Sequence, residues 1–172
     1  ESEYLGVDDD EGLLQRATVQ GNVLAIVQTH FLRMNLVLDD LSPLGRFDLV
    51  ACLAVLHHIP GKEMRLAVLQ KLAHLLVPEG RLLISTWQFL DDPRLRERVQ
   101  PWESIGLTND DVEPGDALLP WDQGVHALRY AHHIDRNEVA MLAAGAGLRV
   151  DDAFYADGKS GRLNLYTILA HN

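Results

Sequence analysis

The stretch from Phe47 to Ile84 decides the fold, and it reads FDLVACLAVLHHIPGKEMRLAVLQKLAHLLVPEGRLLI. Its first part, Phe47–Leu53, is a short apolar run bounded by charge, which is typical of a strand buried on both faces of a parallel sheet. Apolar residues then recur at helical spacing over Lys62–Leu76, and Pro78-Glu79-Gly80 indicates the end of that helix. Arg81–Trp87 is a second run of the buried type. The stretch therefore predicts a strand–helix–strand unit.

The alternation of strands and helices continues on both sides of this unit. The further predicted elements are, in chain order, a strand at Tyr4–Val7, a helix at Glu11–Thr18, a strand at Phe31–Leu36, a helix at Asp135–Ala146, and strands at Leu148–Tyr155 and Leu163–Ala170. Asp135 is a plausible N-cap and Gly147 a plausible stop for the last helix.

This alternation predicts an α/β fold, a Rossmann-like doubly wound and mostly parallel sheet. The last two strands have no helix between them, so the C-terminal strand should pair antiparallel. We expect a single domain over residues 1–172. Within it, the polar and proline-containing stretch 88–134 is predicted to be an irregular substrate-side insertion, with one short helix at Asp92–Val99.

Composition limits the classes of function. The 172 residues are 47% hydrophobic and carry a formal net charge of −10, so a nucleic acid partner would require a local basic patch or a second subunit. The one cysteine, Cys52, lies in an apolar run and is expected to be a buried thiol. No apolar stretch approaches the roughly 20 residues that span a bilayer, and no signal peptide is visible. We therefore expect a cytoplasmic protein without a membrane partner.

The motifs in the central stretch resemble those of class I S-adenosylmethionine-dependent methyltransferases. In that family an F-D-x-V strand, here Phe47–Val50, is followed by a V-L-H-H turn, here Val55–His58. The next helix ends in L-x-P-G-G, and this chain departs from that pattern with Glu79 while keeping Gly80. The resemblance implies that the chain is a methyltransferase with S-adenosylmethionine as its cofactor.

The cofactor residues are expected at the carboxyl ends of the strands, where open α/β sheets bind their ligands. Asp8 ends the first predicted strand and could accept both ribose hydroxyls, or it could only cap the following helix. Met34 and Asn35 match the position that reads adenine in the family, and an ordinary turn asparagine is the alternative. Leu53 and Ala54 would border the methionine arm.

The family's first strand and glycine-rich loop are expected to lie before Glu1. No G-x-G-x-x-G pattern occurs in the chain. We therefore expect weak or absent affinity for S-adenosylmethionine unless such a segment is supplied.

The second half of the chain is similar to the tRNA wobble-uridine methyltransferases, which esterify a carboxymethyl group on the base. They carry a D-x-x-x-P-W element, an R-Y-x-H element and a Y-Y-D-x-G close, matched here more loosely by Asp116–Trp121, Arg129–His132 and Phe154–Gly158. The resemblance implies tRNA or a small carboxylate or hydroxyl compound as acceptor. It also implies a possible small zinc-binding activator subunit.

Three residues are the catalytic candidates. Arg129 could clamp a carboxylate acceptor with two hydrogen bonds, or be an ordinary ion-paired arginine. His57 and His58 lie just past a strand, where either could act as a base or donor toward a hydroxyl acceptor, or be structural. No metal site is expected, because no Cys or carboxylate shares ligand spacing with His132 and His133.

The sequence thus predicts an enzyme that transfers a methyl group, with the carboxymethyl group of tRNA wobble uridine as a possible acceptor. A small-molecule O-methyltransferase and a degenerate, non-catalytic methyltransferase-like binding module are the alternatives. A nicotinamide-dependent Rossmann enzyme fits less well, because of the reversed final hairpin.

Overall fold

The computed structural model describes residues 3–23, 28–121 and 127–172. The chain divides into two compact units, an N-terminal unit of Glu1–Leu41 and a C-terminal unit of Ser42–Asn172. Within the described residues, no helix is long and apolar enough to cross a membrane.

The N-terminal unit is a strand–helix–strand unit. Its elements are β1 (Glu3–Asp8), α1 (Glu11–Val23) and β2 (Gln28–Arg33). The two strands are parallel and in register, so that both end at the same edge, with Asp8 opposite Arg33. The first strand is where the sequence predicts it, α1 extends past the predicted end at Thr18, and β2 begins and ends about three residues before the predicted strand.

Asp10 explains why α1 begins where it does. Its carboxylate accepts a hydrogen bond from the Leu13 backbone N–H at 2.9 Å, which satisfies one of the free donors of the first turn. The helix cap is therefore Asp10 and not Asp8.

The C-terminal unit holds the remaining regular elements. They are β3 (Phe47–Leu53), α2 (Lys62–His74), β4 (Leu76–Trp87), α3 (Pro93–Arg96), β5 (Asp116–Trp121), β6 (Ala127–His132), α4 (Arg136–Gly145), β7 (Leu148–Ala156) and β8 (Asn164–His171). One sheet has the order β3-β4-β8-β7. In it β3 and β4 are parallel and β8 is antiparallel to both of its neighbours, as expected of the reversed final strand.

The start of β4 differs from the prediction. The strand begins at Leu76, so Pro78-Glu79-Gly80 lies inside it and does not form the turn that ends the helix. The pairing with β3 joins Phe47 to Leu76 and then resumes at Leu49 with Arg81, which leaves residues 77–80 as an irregularity. Glycine is required at position 80, because a Cβ there would lie 3.0 Å from the backbone oxygens of Phe47 and Val77.

Strand β3 has the predicted bounds, but the prediction that it is buried on both faces is wrong. Cys52 is buried, and burial raises the pKa of its thiol to about 12, in line with a structural thiol. On the opposite face Leu49 and Leu53 are 62% and 49% exposed. The strand is at the edge of its sheet, and a uniformly apolar sequence gives no sign of which face is covered.

The stretch 88–134 is more regular than predicted. In it β5 and β6 form an antiparallel hairpin, with register from Asp116 opposite His132 to Trp121 opposite Ala127. The predicted helix at Asp92–Val99 is reduced to the single turn α3. The polar residues and prolines of this stretch argued against strands. One of these prolines, Pro120, nevertheless lies within β5.

The core of the C-terminal unit lies between its sheet and its helices. The apolar side chains buried there include Val68, Leu69, Leu72, Leu82, Ile84, Val139, Leu142, Leu165 and Leu169. Helix α4 begins as predicted, since the Asp135 side chain accepts a hydrogen bond from the Glu138 N–H at 2.8 Å.

Replacing Asp135 with alanine should lower the free energy of unfolding by about 1 kcal/mol, because the cap bond of α4 is lost. The matched control is Asn137→Ala, an exposed residue in the first turn of the same helix. Urea denaturation followed by circular dichroism measures both. Equal stability of the two variants would show that the Asp135 bond does not hold the helix end.

Candidate functional site

In the N-terminal unit, Asp8 is placed as a ligand-binding carboxylate. It lies at the carboxyl end of β1, where one of its carboxylate oxygens accepts from the Asp10 N–H at 2.9 Å. Within the described part of the chain, no hydrogen bond reaches the other oxygen. That oxygen can accept from a ribose hydroxyl, so Asp8 fits the cofactor predicted from the sequence.

Met34 and Asn35 follow β2 directly. The Met34 N–H donates to the Asp8 carbonyl at 3.0 Å, which closes the ends of the two strands. The Asn35 side-chain oxygen accepts from the N–H groups of Val37 and Leu38 at 3.0 and 3.1 Å. Both lone pairs of this oxygen are used within a turn. This favours the alternative that Asn35 is a turn asparagine, and does not favour a hydrogen bond from adenine to this oxygen.

In the C-terminal unit, Leu53 and Ala54 end β3 and are exposed. Ala54 has a φ of +58°, a left-handed conformation that is uncommon outside glycine. Its N–H donates to the Ser85 hydroxyl at 2.9 Å, which ties this reversal to β4. The chain therefore turns sharply into the short helical turn Leu56–His58, which carries both histidines.

The two histidines are held with their protons on opposite nitrogens. The Trp87 N–H donates to Nδ1 of the buried His57 at 3.3 Å, so the proton of the neutral His57 ring is on Nε2. His58 Nδ1 lies 3.0 Å from the Tyr130 carbonyl oxygen, which can only accept, so this nitrogen carries the proton. His58 is exposed, and its Nε2 is an acceptor.

Both rings are neutral at pH 7. Burial, followed by His58 and Arg129, lowers the pKa of His57 to about 3. Although the side chain of His58 reaches solvent, the protein around the rest of its ring lowers its pKa; the hydrogen bond to Tyr130 opposes this effect and Arg129 adds to it. A neutral imidazole beside a cation can accept a proton, so His58 has the form that a base requires.

Arg129 lies between two tryptophans. Its guanidinium carbon is 4.5 Å from the Trp87 ring centroid and 4.6 Å from that of Trp121. Its Nε is buried without a hydrogen-bond partner, and no carboxylate among the described residues pairs with it. Burial, followed by the nearby Arg98, lowers the pKa of Arg129. Arg98 is therefore close enough to disfavour the charge of Arg129, in a chain with a net charge of −10.

The structure thus brings together His57, His58 and Arg129, the three residues that the sequence singled out for catalysis. His57 and Arg129 both contact Trp87, and the rings of His57 and His58 are 4.3 Å apart. Nothing in the sequence pattern indicated that tryptophans would cover both faces of the arginine.

A buried ionic cluster next to this site was not predicted. At its centre is Arg65 on α2, whose side chain is 1% exposed. The guanidinium bonds to Glu113 at 2.7 Å, to Glu138 at 3.0 Å and to the Ile59 carbonyl at 3.2 Å. These partners are 6 to 73 residues away in the chain, so no local pattern could reveal them.

His132 and Asp116 complete the ionic cluster. His132 Nδ1 lies 2.6 Å from Asp116, and Nε2 lies 2.8 Å from Glu138. Burial opposes a charge on His132, but the hydrogen bonds to Glu138 and Asp116 outweigh it and raise the pKa of the imidazole. Asp116 also accepts from the Tyr130 hydroxyl at 2.5 Å. His132 is thus a structural residue that joins Asp116 to Glu138, which the sequence did not indicate.

Glu113, Asp116 and His132 lie together with ligand atoms within 4.8 Å of one another, which sequence spacing did not indicate. The Arg65 guanidinium already bonds Glu113, and both His132 nitrogens face carboxylates. These hydrogen bonds already occupy the three side chains, so the arrangement fits an ion-pair network better than a cation site.

Comparison with known proteins agrees with this architecture. Residues 1–82, slightly less than half of the 172, match the family described as a methyltransferase domain. Probable tRNA methyltransferase 9B from Bos taurus is 26% identical over 83 residues, and the human protein of that name is 27% identical over 79. These segments are 48% and 46% of this chain but only 15% and 14% of those proteins.

Solved structures match nearly the whole chain. A S-adenosylmethionine-dependent methyltransferase from Methanosarcina mazei has a TM-score of 0.72 at 17% identity, covering 97% of this chain and 81% of its own. Magnesium protoporphyrin IX methyltransferase from Synechocystis, with bound S-adenosylhomocysteine, has a TM-score of 0.64 at 20% identity and covers 98% of this chain and 64% of its own.

The chain has the fold of S-adenosylmethionine-dependent methyltransferases. About half of the chain is also similar in sequence to the tRNA methyltransferase 9B proteins.

Replacing Glu138 with glutamine should lower the free energy of unfolding by roughly 3 kcal/mol at pH 7, because Arg65 and His132 each lose a buried charged partner. Burial alone would raise the pKa of Glu138, but His132 and Arg65 hold it below the ordinary value of 4.5. The stabilisation is therefore present above pH 4.5 and lost as the pH falls through the folded-state pKa.

Urea denaturation from pH 7 to pH 3 measures this difference. The gap between the native chain and Glu138→Gln should shrink on acidification, while the exposed control Glu103→Gln should follow the native chain throughout. A gap that is the same at pH 7 and pH 3 would contradict the charged role of Glu138.

Proposed function

We propose that this domain transfers a methyl group from S-adenosylmethionine to an oxygen of an anionic acceptor that Arg129 holds. One observation carries the proposal: the Arg129 guanidinium, between Trp87 and Trp121, has no carboxylate partner among the described residues. A half-buried cation without a counter-ion is costly, and an acceptor carboxylate or phosphate would supply the missing charge.

Arg129 would bind and orient the acceptor. The guanidinium edge is a fork of N–H donors that matches the two oxygens of a carboxylate. The two tryptophan rings lie against the guanidinium and keep water from it. The electrostatic attraction between its N–H edge and an anion is therefore stronger. Fixing the acceptor in line with the methyl group is where positioning contributes to the rate.

His58 and His57 would assist proton transfer where the acceptor requires it. A carboxylate acceptor is already ionised and needs no base. For a hydroxyl acceptor, the exposed Nε2 of the neutral His58 could accept the proton as the oxygen attacks. His57 is buried, and its Nε2–H can only donate, which suits it to hold His58 or an acceptor oxygen.

S-adenosylmethionine, when bound, supplies an electrophilic methyl group to this reaction. On the protein side, Asp8 offers one free carboxylate oxygen to a ribose hydroxyl, and Met34 would border the nucleoside with it. Leu53 and Ala54 are exposed at the end of β3 and would line the methionine arm. Asn35 would contribute to the cofactor site indirectly. Its amide nitrogen donates to the Asp9 carboxylate at 3.2 Å and holds that side chain in place.

For the acceptor, we favour a carboxymethyl group on tRNA wobble uridine. The similarity to tRNA methyltransferase 9B and the looser motif matches support it, against the acidic charge of the chain. A local basic patch also supports it: Arg136 and Arg162 lie 4.7 and 4.1 Å from the centroid of the Tyr155 ring. Both arginines are exposed and unpaired with any described carboxylate.

The basic patch and the candidate site lie at the same end of the strands, but Tyr155 pairs in the row of Thr86, so its side chain is on the opposite face of the sheet from that of Trp87. Trp87 pairs with Asn164, and Asn164 pairs with Ala156, so the three form one row across β4, β8 and β7. At strand spacings near 4.8 Å, the backbone beside Tyr155 is about 10 Å from that of Trp87.

A small-molecule carboxylate or hydroxyl acceptor is the second candidate, and the neutral His58 favours it where the acceptor is a hydroxyl. A binding module without catalysis could hold an anion with Arg129 equally well, so a turnover assay is what distinguishes it from an enzyme. A cytoplasmic location and a zinc-binding activator subunit remain predictions from the sequence and the resemblance.

Replacing Arg129 with alanine should reduce methyl transfer to the acceptor by roughly 100-fold or more, because the group that orients it is lost. Binding of S-adenosylmethionine, measured by calorimetry, should be almost unchanged. The rate of methyl transfer by Arg129→Lys should lie between those of the native chain and Arg129→Ala, because lysine keeps the charge but cannot form two parallel hydrogen bonds with a carboxylate.

The control for this series is Arg94→Ala, an exposed arginine that pairs with Asp92. It should retain native turnover with tRNA that carries carboxymethyl uridine as the probe. Native turnover of Arg129→Ala would refute the role of this arginine.

A further inference from the structure

We propose that Tyr130 and Asp116 are positioning residues, which hold the β6 backbone so that its carbonyl keeps the His58 proton on Nδ1 and leaves Nε2 open as the acceptor. The catalytic meaning of this arrangement rests on the proposed function with a hydroxyl acceptor, since only such an acceptor would give a proton to His58. The hydrogen bonds themselves do not depend on the proposed function.

Tyr130 takes part in both of the hydrogen bonds on which this arrangement depends. Its hydroxyl donates to Asp116 at 2.5 Å, and its backbone carbonyl accepts from His58 Nδ1 at 3.0 Å. The side chain therefore anchors the same residue whose backbone orients the histidine. Burial, followed by the bond to Asp116, raises the pKa of Tyr130, so the hydroxyl stays protonated and donates at every working pH.

Asp116 fixes Tyr130 from the paired strand of the hairpin. One of its oxygens accepts from the Tyr130 hydroxyl and faces His132 Nδ1 at 2.6 Å, and the other accepts from the Glu113 N–H at 2.9 Å. Tyr130 and His132 are two residues apart in β6, so their side chains lie on one face of the hairpin. One carboxylate therefore locks both.

The ionic cluster then anchors the hairpin to the rest of the unit. His132 reaches Glu138 on α4, and Arg65 on α2 bonds Glu138 and Glu113. Arg65 also donates to the carbonyl of Ile59, the residue that follows the turn carrying His58. Both partners of the bond between His58 and Tyr130 are thus held by one buried cluster.

A purely stabilising role would lower the melting temperature of a variant without changing the protonation pattern of His58. The state of the two imidazoles distinguishes the two roles. His57 serves as an internal reference, because the N–H of Trp87 on β4 holds its ring independently of β6.

The experiment is long-range proton–nitrogen NMR of the chain labelled with ¹⁵N-histidine at pH 7, without cofactor or acceptor. In the native chain, the shifts should show the proton of His58 on Nδ1 and that of His57 on Nε2. A native His58 with its proton on Nε2 would overturn the proposal before any variant is made.

Tyr130→Phe should convert His58 to a mixture of both protonation patterns and leave His57 unchanged. The matched control is Tyr166→Phe, which removes a similar bond, from a tyrosine hydroxyl to Asp157 at 2.7 Å, and should leave both histidines as they are. A folded Tyr130→Phe variant with native His58 shifts would refute the positioning role. If this variant does not fold, Asp116→Asn is read in the same way.

Methyl transfer is then measured on the same proteins. Tyr130→Phe should lower kcat about tenfold with a hydroxyl acceptor while the KM for S-adenosylmethionine stays native. If the native chain binds S-adenosylmethionine but transfers no methyl group, the proposed function fails, and the NMR result still decides the positioning role by itself.

Discussion

The burial of the Arg65 charge is the constraint on which the rest of the C-terminal unit depends. An arginine that is 1% exposed must find its counter-charges inside the protein, and leaving it unpaired would cost about 3–5 kcal/mol. The chain meets this need with Glu113 from the loop before β5 and Glu138 from α4. Two separate segments must therefore converge on α2, and the first of them leads directly into the β5–β6 hairpin.

The placement of the hairpin sets the chemistry of the candidate site. Once β6 is held against the turn that carries the histidines, Arg129 lies between Trp87 and Trp121 with no carboxylate to neutralise it among the described residues. The carboxylates of Glu113, Glu138 and Asp116 bond to Arg65 and His132 instead. An acidic chain thereby concentrates positive charge at one point, next to the neutral His58.

Much of this architecture could be predicted from periodicity and caps. The bounds of β3, the Asp135 cap and the reversed β8 follow from local patterns and from the absence of a helix between the last two strands. The exposed face of β3 and the hairpin within 88–134 could not be predicted, because burial and strand pairing depend on distant neighbours. For the same reason Asp116 and His132 were recognised as motif residues, while their joint role in the ionic cluster was not.

The measurement that most directly tests the account is the chemistry of the transferred methyl group. The protein is incubated with methyl-labelled S-adenosylmethionine and tRNA that carries carboxymethyl uridine, and the labelled product is then treated with mild base. The account predicts a methyl ester, which base hydrolyses to release labelled methanol, because Arg129 would orient a carboxylate. Base-stable label would contradict that prediction and indicate a hydroxyl or nitrogen acceptor.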